Sequence, residues 1–236
     1  MENSLSAFRR AASEGYRYVE TDVHTTRDGV VVIHHDPLLD RTTDGVGPIE
    51  RQTWRQVRRA NVGGREPVSR LEDVLEELPD AALNIDVKSE AAVEPLVQTI
   101  QSTGALDRVA VASFSDARLS RVRRIAGPKL VTALGPRSAA VLRASVRMPL
   151  LRRGGLVSGA MAQLPERLGR YTVVDRGLIR AATLAGIEVH TWTVDDPAQM
   201  RRLLDLGVTG IVTDRPDLLR EVLLERGVWD RGDPFA

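Results

Sequence analysis

Glu20, Asp22, His24, His34, His35 and Asp36 fall within one stretch, Tyr18–Thr43, which reads YVETDVHTTRDGVVVIHHDPLLDRTT. Its first part alternates: Glu20, Asp22 and His24 share one parity, and Val19, Thr21 and Val23 the other. On a strand these sets point to opposite faces, one acidic with an imidazole and one apolar or neutral. Asp28-Gly29 marks a turn, because Gly tolerates positive φ and Asp tolerates left-handed backbone. Val30–Ile33 is then a second apolar strand that delivers His34, His35 and Asp36 to its end. Further on, Ala82–Lys88 reads ALNIDVK, with Asn84, Asp86 and Lys88 on one face.

Glu20, Asp22 and Asp86 thus lie on the inner parity of two strands. Three carboxylates at one strand-end mouth repel one another unless a cation neutralises them, and all-oxygen ligation suits Ca²⁺ or Mg²⁺. Ordinary ion pairing with nearby Arg or Lys is the alternative for any single acid. Lys88 points the same way as Asp86 and can hold a phosphate oxygen as a point charge; a salt bridge to Glu20 or Asp86 is its other reading. His35, fixed by the following Asp36-Pro37, can move protons near neutral pH. His34 has the opposite parity and is expected to face away. His24 lies further out and reads as pocket rim, and His190 as core or pocket wall. Trp192 reads equally as an apolar wall for a substrate moiety or as core.

Positioning these residues requires a parallel sheet. Asn3 or Ser4 caps a first helix with Leu5, Phe8, Ala11 and Ala12 at helical spacing, closed by Gly15. Leu71, Val74, Leu75 and Leu78 define a helix over Arg70–Leu78. After Ala82–Lys88 the alternation is regular. Strands are expected at Val109–Phe114, Lys129–Leu134, Ala160–Leu164, Glu188–Val194 and Gly210–Asp214. Helices are expected at about Ala91–Ser102, Ala117–Ile125, Leu178–Ala185, Ala198–Leu206 and after Pro216, with a less regular segment around Ser138–Leu151. Such alternation argues for an α/β fold with helices outside a parallel sheet. Polar residues recur at strand ends, where a (β/α)8 TIM barrel keeps its site. Seven barrel strands plus the extra Val30–Ile33 are found, so an eighth is expected before Met1.

The 236 residues suit one domain of this kind, and 42% hydrophobic content supports a sizeable core. A formal charge of +1, from 33 basic and 32 acidic residues, gives no global field to recruit nucleic acid. Without cysteine, disulfides, thiolate catalysis and Cys-based metal sites are excluded. No Gly-rich phosphate loop follows a strand, which weakens a nucleotide-binding reading. No apolar run reaches membrane-spanning length and no signal-peptide pattern opens the chain, so the expected location is cytoplasmic as the chain stands, or secreted or periplasmic if the natural start lies upstream.

The runs ENSLSAF, VETDVHTTRDGVVVIHHDPLLDRTTDG, NIDVK, SF, HTWTVDD and GVTGIVTDRPDLL resemble, in order, the glycerophosphodiester phosphodiesterases. The resemblance implies a single TIM-barrel domain over 1–236 with a small insertion at about 25–70. It implies cation-dependent hydrolysis of small glycerophosphodiesters to an alcohol and glycerol 3-phosphate. By position, Glu20, Asp22 and Asp86 match metal ligands, the last usually Glu in the family. Lys88 matches the phosphate-contacting lysine, His35 the second of two catalytic histidines, and Trp192 the aromatic near the pocket. Family members begin with a strand ending in His-Arg-Gly, which this chain lacks. Impaired activity, low stability and homo-oligomers through exposed barrel edges are the expectations that follow. A non-catalytic metal- or phosphate-binding barrel and a sphingomyelinase D-type lipid phosphodiesterase are the alternatives.

Overall fold

The structure, a computed structural model, describes residues 1–152 and 156–229. The chain divides into two compact units, Met1–Val131 and Thr132–Ala236.

The first unit opens with α1 (Leu5–Ser13), whose N-cap is Ser4: its hydroxyl accepts from the Ala7 amide. β1 (Tyr18–Thr25) follows, and a turn with Gly29 at φ +84° reverses the chain into β2 (Val31–Ile33). An excursion then carries a short helix, α2 (Trp54–Val57), and a small hairpin of β3 (Asn61–Val62) and β4 (Glu66–Pro67). It has its own buried cluster of Val32, Leu39, Ile49, Val57, Val62 and Val68. Next come α3 (Leu71–Glu77), β5 (Ala82–Val87), α4 (Val93–Ser102), β6 (Val109–Ala112), α5 (Asp116–Ala126) and β7 (Val131–Thr132), where the unit ends.

The sheet order is β2-β1-β5-β6-β7. β1, β5 and β6 run parallel, while β2 pairs antiparallel with the end of β1. Apolar faces of these strands and of α3, α4 and α5 make the main core, including Val23, Ile33, Leu75, Ile85, Leu96, Val111 and Leu119.

The second unit contains α6 (Pro136–Ala144), β8 (Met161–Pro165), a hairpin of β9 (Arg167–Leu168) and β10 (Tyr171–Thr172), α7 (Arg176–Leu184), β11 (Glu188–Trp192), α8 (Pro197–Leu206), β12 (Gly210–Ile211) and α9 (Pro216–Glu225). β8, β11 and β12 form a parallel sheet in the order β12-β11-β8. A Cβ at Gly210 would sit 2.6 Å from the His190 ring, so the close pairing of β11 with β12 needs glycine there. Both units therefore show the mixed α/β, parallel alternation expected from the sequence. The strands are shorter than expected: Lys129–Leu134 keeps only Val131–Thr132 and a single bridge from Ala133 to Met161, and Gly210–Asp214 keeps two residues. Among the described residues no helix is long and apolar enough to cross a membrane.

Candidate active site

The pairing of β1 with β5 sets the site. In their parallel register Glu20 stands opposite Asn84, and Asp22 opposite Asp86. Alternation then places both aspartates on one face. The ladder runs on past the strands: the Lys88 amide donates to the Val23 carbonyl at 3.1 Å, and the His34 amide to the Asp22 carbonyl at 2.9 Å. Two acids, a lysine and the His34-His35-Asp36 segment are thereby tied to the C-terminal half of β1.

Asp22 and Asp86 are each only 6% exposed. The Lys88 ammonium lies between them, 2.8 Å from Asp22 Oδ1 and 2.7 Å from Asp86 Oδ2. Burial pulls the Lys88 pKa down, but Asp86 and Asp22 outweigh it and hold it above the usual lysine value. The ammonium also lies 5.9 Å from the ring centroid of Phe114, an exposed aromatic just beyond β6.

Asn3 closes the other side of Asp22. Its Nδ2 donates to Asp22 Oδ2 at 2.8 Å, and its Oδ1 accepts from Thr21 Oγ1 at 2.7 Å and from the Asp22 amide at 3.1 Å. It does so from a left-handed backbone, φ +51°, which Asn tolerates better than most residues. Of the two cap candidates in the sequence, Asn3 and Ser4, the helix cap is Ser4.

The donor set fits a hard divalent cation. Asp86 Oδ1 and, two residues earlier on the same face, Asn84 Oδ1 are buried with no hydrogen-bond partner. A partnerless buried oxygen is costly, and a carboxylate oxygen beside a carboxamide oxygen is the donor chemistry that Mg²⁺ or Ca²⁺ takes. The three predicted carboxylates are nevertheless not gathered: among the described residues no three His, Asp or Glu side chains are arranged around a common metal position. Glu20 is exposed on the first half of β1, and Lys88 takes the space between the two aspartates.

His35 is half-exposed, at 51% of its side chain, and its Nδ1 is 2.6 Å from Asp36 Oδ1. Arg41 Nε donates to Asp36 Oδ2, and Arg41 is ion-paired in turn with Glu2. Arg41, and then His35, hold the Asp36 carboxyl well below the usual carboxylate range. Nδ1 is thus the ring nitrogen engaged by Asp36.

His24 and His34 are both buried. The expectation that His24 lines a pocket rim is overturned, because its side chain is buried with Nε2 against the His35 carbonyl. His34 is turned inward against Asp36 and Thr42. Burial pushes both imidazoles below the usual histidine value, against the backbone hydrogen bonds that raise them. In the second unit, Trp192 ends β11 partly exposed, and His190 Nε2 lies 3.0 Å from Glu188 Oε2.

Residues 1–218 match the model of the glycerophosphoryl diester phosphodiesterase family. The chain belongs to the glycerophosphodiester phosphodiesterase family. It is 43% identical to "Probable glycerophosphodiester phosphodiesterase 2" of Mycobacterium tuberculosis over 232 residues, 97% of this chain and 87% of that one. The crystal structure of a glycerophosphodiester phosphodiesterase from Agrobacterium tumefaciens superposes with a TM-score of 0.75 at 27% identity, covering 92% of each chain. A phosphodiesterase of Oleispira antarctica, solved with its product sn-glycerol-3-phosphate, shares the fold with a TM-score of 0.78 at 22% identity, over 94% of this chain and 90% of that one. The fold is thus that of the family's TIM-barrel enzymes. Asn3 and Phe114 lie in two of the resembling runs, ENSLSAF and SF, but carry no site role in the sequence reading; residue pattern alone offers Asn3 as a helix cap and Phe114 as a strand end.

Proposed function

We propose that this chain hydrolyses glycerophosphodiesters, releasing an alcohol and glycerol 3-phosphate, at the cluster of Asp22, Asp86, Lys88 and His35 with a divalent cation, Mg²⁺ or Ca²⁺. Its membership of a phosphodiesterase family supports the reaction class. The observation that carries the reading is the buried Asp22–Asp86 pair in register, with an unpartnered oxygen on Asp86 and an ammonium beside it. That cluster is short of positive charge and suited to a cation and a phosphate together.

Asp22 and Asp86 would hold the cation, with Glu20 on the neighbouring stretch of β1. When bound, the cation supplies Lewis-acid polarisation of a phosphoryl oxygen. Lys88 contributes a fixed positive charge against a phosphate oxygen as the diester enters, where negative charge develops during displacement. His35 exchanges a proton through Nε2 with the attacking water or the departing alkoxide. Asp36 keeps Nδ1 hydrogen-bonded and, ionised throughout the working range, balances the imidazolium. The substrate contact that the family resemblance assigns to Trp192 has its own check: Trp192→Ala raises KM for the diester if the assignment holds.

Release of glycerol 3-phosphate from glycerophosphocholine, followed with Mg²⁺, with Ca²⁺ and with chelator, tests the reading. Turnover that needs the cation and is lost in Asp22→Asn and Asp86→Asn supports it. Calorimetric binding of cation and diester without turnover under any condition would instead establish a non-catalytic binding barrel.

A further inference from the structure

His35 has little to hold it in place. Its side chain is half-exposed, and among the described residues its one side-chain anchor is Asp36, its own neighbour in sequence. The orientation of the imidazole is therefore inherited from the backbone of the His35-Asp36 dipeptide, which lies beyond the end of β2 and outside the sheet ladder.

Two buried histidines grip that dipeptide. His24, on β1, places Nε2 3.1 Å from the carbonyl oxygen of His35. A carbonyl only accepts, so Nε2 carries the hydrogen. His34 places Nδ1 2.8 Å from the carbonyl oxygen of Asp36, and by the same logic donates from Nδ1. Its Nε2, 3.0 Å from Thr42 Oγ1, then accepts from that hydroxyl. The two imidazoles are opposite tautomers holding consecutive carbonyls. Keeping them is costly: His24 Nδ1 is buried without a partner, a cost that an aliphatic side chain avoids. A purely packing role does not explain an imidazole there; a donor aimed at the His35 carbonyl does.

We propose that His24 and His34 are positioning residues that clamp the His35-Asp36 backbone from two sides, so that the His35 imidazole meets the substrate in a single orientation. This inference rests on His35 being the proton-transfer group.

The test compares His24→Leu and His24→Gln, His34→Leu and His34→Asn, with His35→Asn as reference, each in the whole chain. Gln carries an amide nitrogen to the place of imidazole Nε2, and Asn to that of Nδ1. The leucine variants are expected to lose about 10- to 100-fold in kcat, the scale of a misplacement of about 1 Å. KM and calorimetric Mg²⁺ affinity should stay within about twofold, because the clamp touches neither ligand. The Gln and Asn variants should recover most of kcat. If His35→Asn is as active as the parent, the role of His35 falls first. If His35→Asn is inactive while the leucine variants keep the parent kcat, the clamp alone is refuted. Equal losses in Leu and in Gln or Asn variants refute it as well. Should a leucine variant not fold, ¹⁵N NMR of the unaltered chain at neutral pH decides: His24 protonated on Nε2 and His34 on Nδ1 support the clamp, and the same tautomer at both overturns it.

Discussion

Asp22 and Asp86 stand opposite each other in the β1–β5 register, and one ammonium, that of Lys88, serves both. Among the described residues the two buried carboxylates share this one cationic partner. Removing the ammonium in Lys88→Met leaves two like charges facing each other, a change of about 3–5 kcal/mol. In chelator the variant is expected to melt roughly 6–20 °C below the parent. Mg²⁺ should narrow that gap, because the ion replaces the lost charge. The sign with pH is fixed by the raised Lys88 pKa: its stabilisation is present below the unfolded value of 10.5 and fades as pH rises through the folded one. Calorimetric melts with and without Mg²⁺ check this, and a gap untouched by saturating ion would argue against cation binding by these carboxylates.

Asn3 holds one oxygen of Asp22 while Lys88 holds the other. Side chains that orient a ligating carboxylate typically contribute about 10- to 100-fold to metal affinity. Asn3→Gly keeps the left-handed backbone accessible and deletes only the side chain. It is expected to weaken calorimetric Mg²⁺ binding by that factor and to lower stability by about 1–3 kcal/mol as Thr21 and Asp22 lose their partners. Unchanged affinity would confine Asn3 to a structural role.

Much of the site was readable because strand parity is a strong signal. The inward pairing of Asp22 with Asp86 and Lys88, and the delivery of His35 and Asp36 to the end of β2, follow from alternation and from the Asp28-Gly29 turn. What parity could not convey is where along a strand its faces are covered. Glu20 shares a face with Asp22 and His24 but is exposed, while those two are buried on the same parity. The contacts of Asn3 were unreadable because its three hydrogen bonds depend on a left-handed turn and on partners 18 and 19 residues away. The β9–β10 hairpin was missed for another reason: Arg167, Leu168, Tyr171 and Thr172 are all exposed and carry no apolar alternation.

Phe114 extends an exposed ring beside Lys88, 5.9 Å from its ammonium. An exposed cation–π contact is worth about 0.5–1 kcal/mol, and the ring also offers an apolar surface beside the lysine proposed to hold the phosphate. Phe114→Ala is expected to raise KM for glycerophosphocholine about two- to fivefold with little change in kcat. Steady-state kinetics check this, and a fall in kcat at constant KM would place the ring elsewhere in the mechanism.

Asp36 joins His35, the proposed proton-transfer group, to the Arg41–Glu2 ion pair. Arg41, and then His35, depress its pKa below 3.8, so the stability it contributes is present above about pH 3.8 and is lost as pH falls through the folded value. Asp36→Asn removes both the charge and that linkage. Stability measured by urea unfolding should therefore fall less steeply between about pH 4 and pH 2 in the variant than in the parent. At neutral pH the effect is on catalysis: the imidazolium of His35 loses its counter-charge, and kcat is expected to fall on the order of 10²-fold. Arg41→Gln leaves Asp36 in place but loosens it, and should give a smaller loss in kcat and a partial flattening of the acid limb. An Asp36→Asn enzyme with the parent kcat would show that His35 acts without its carboxylate partner.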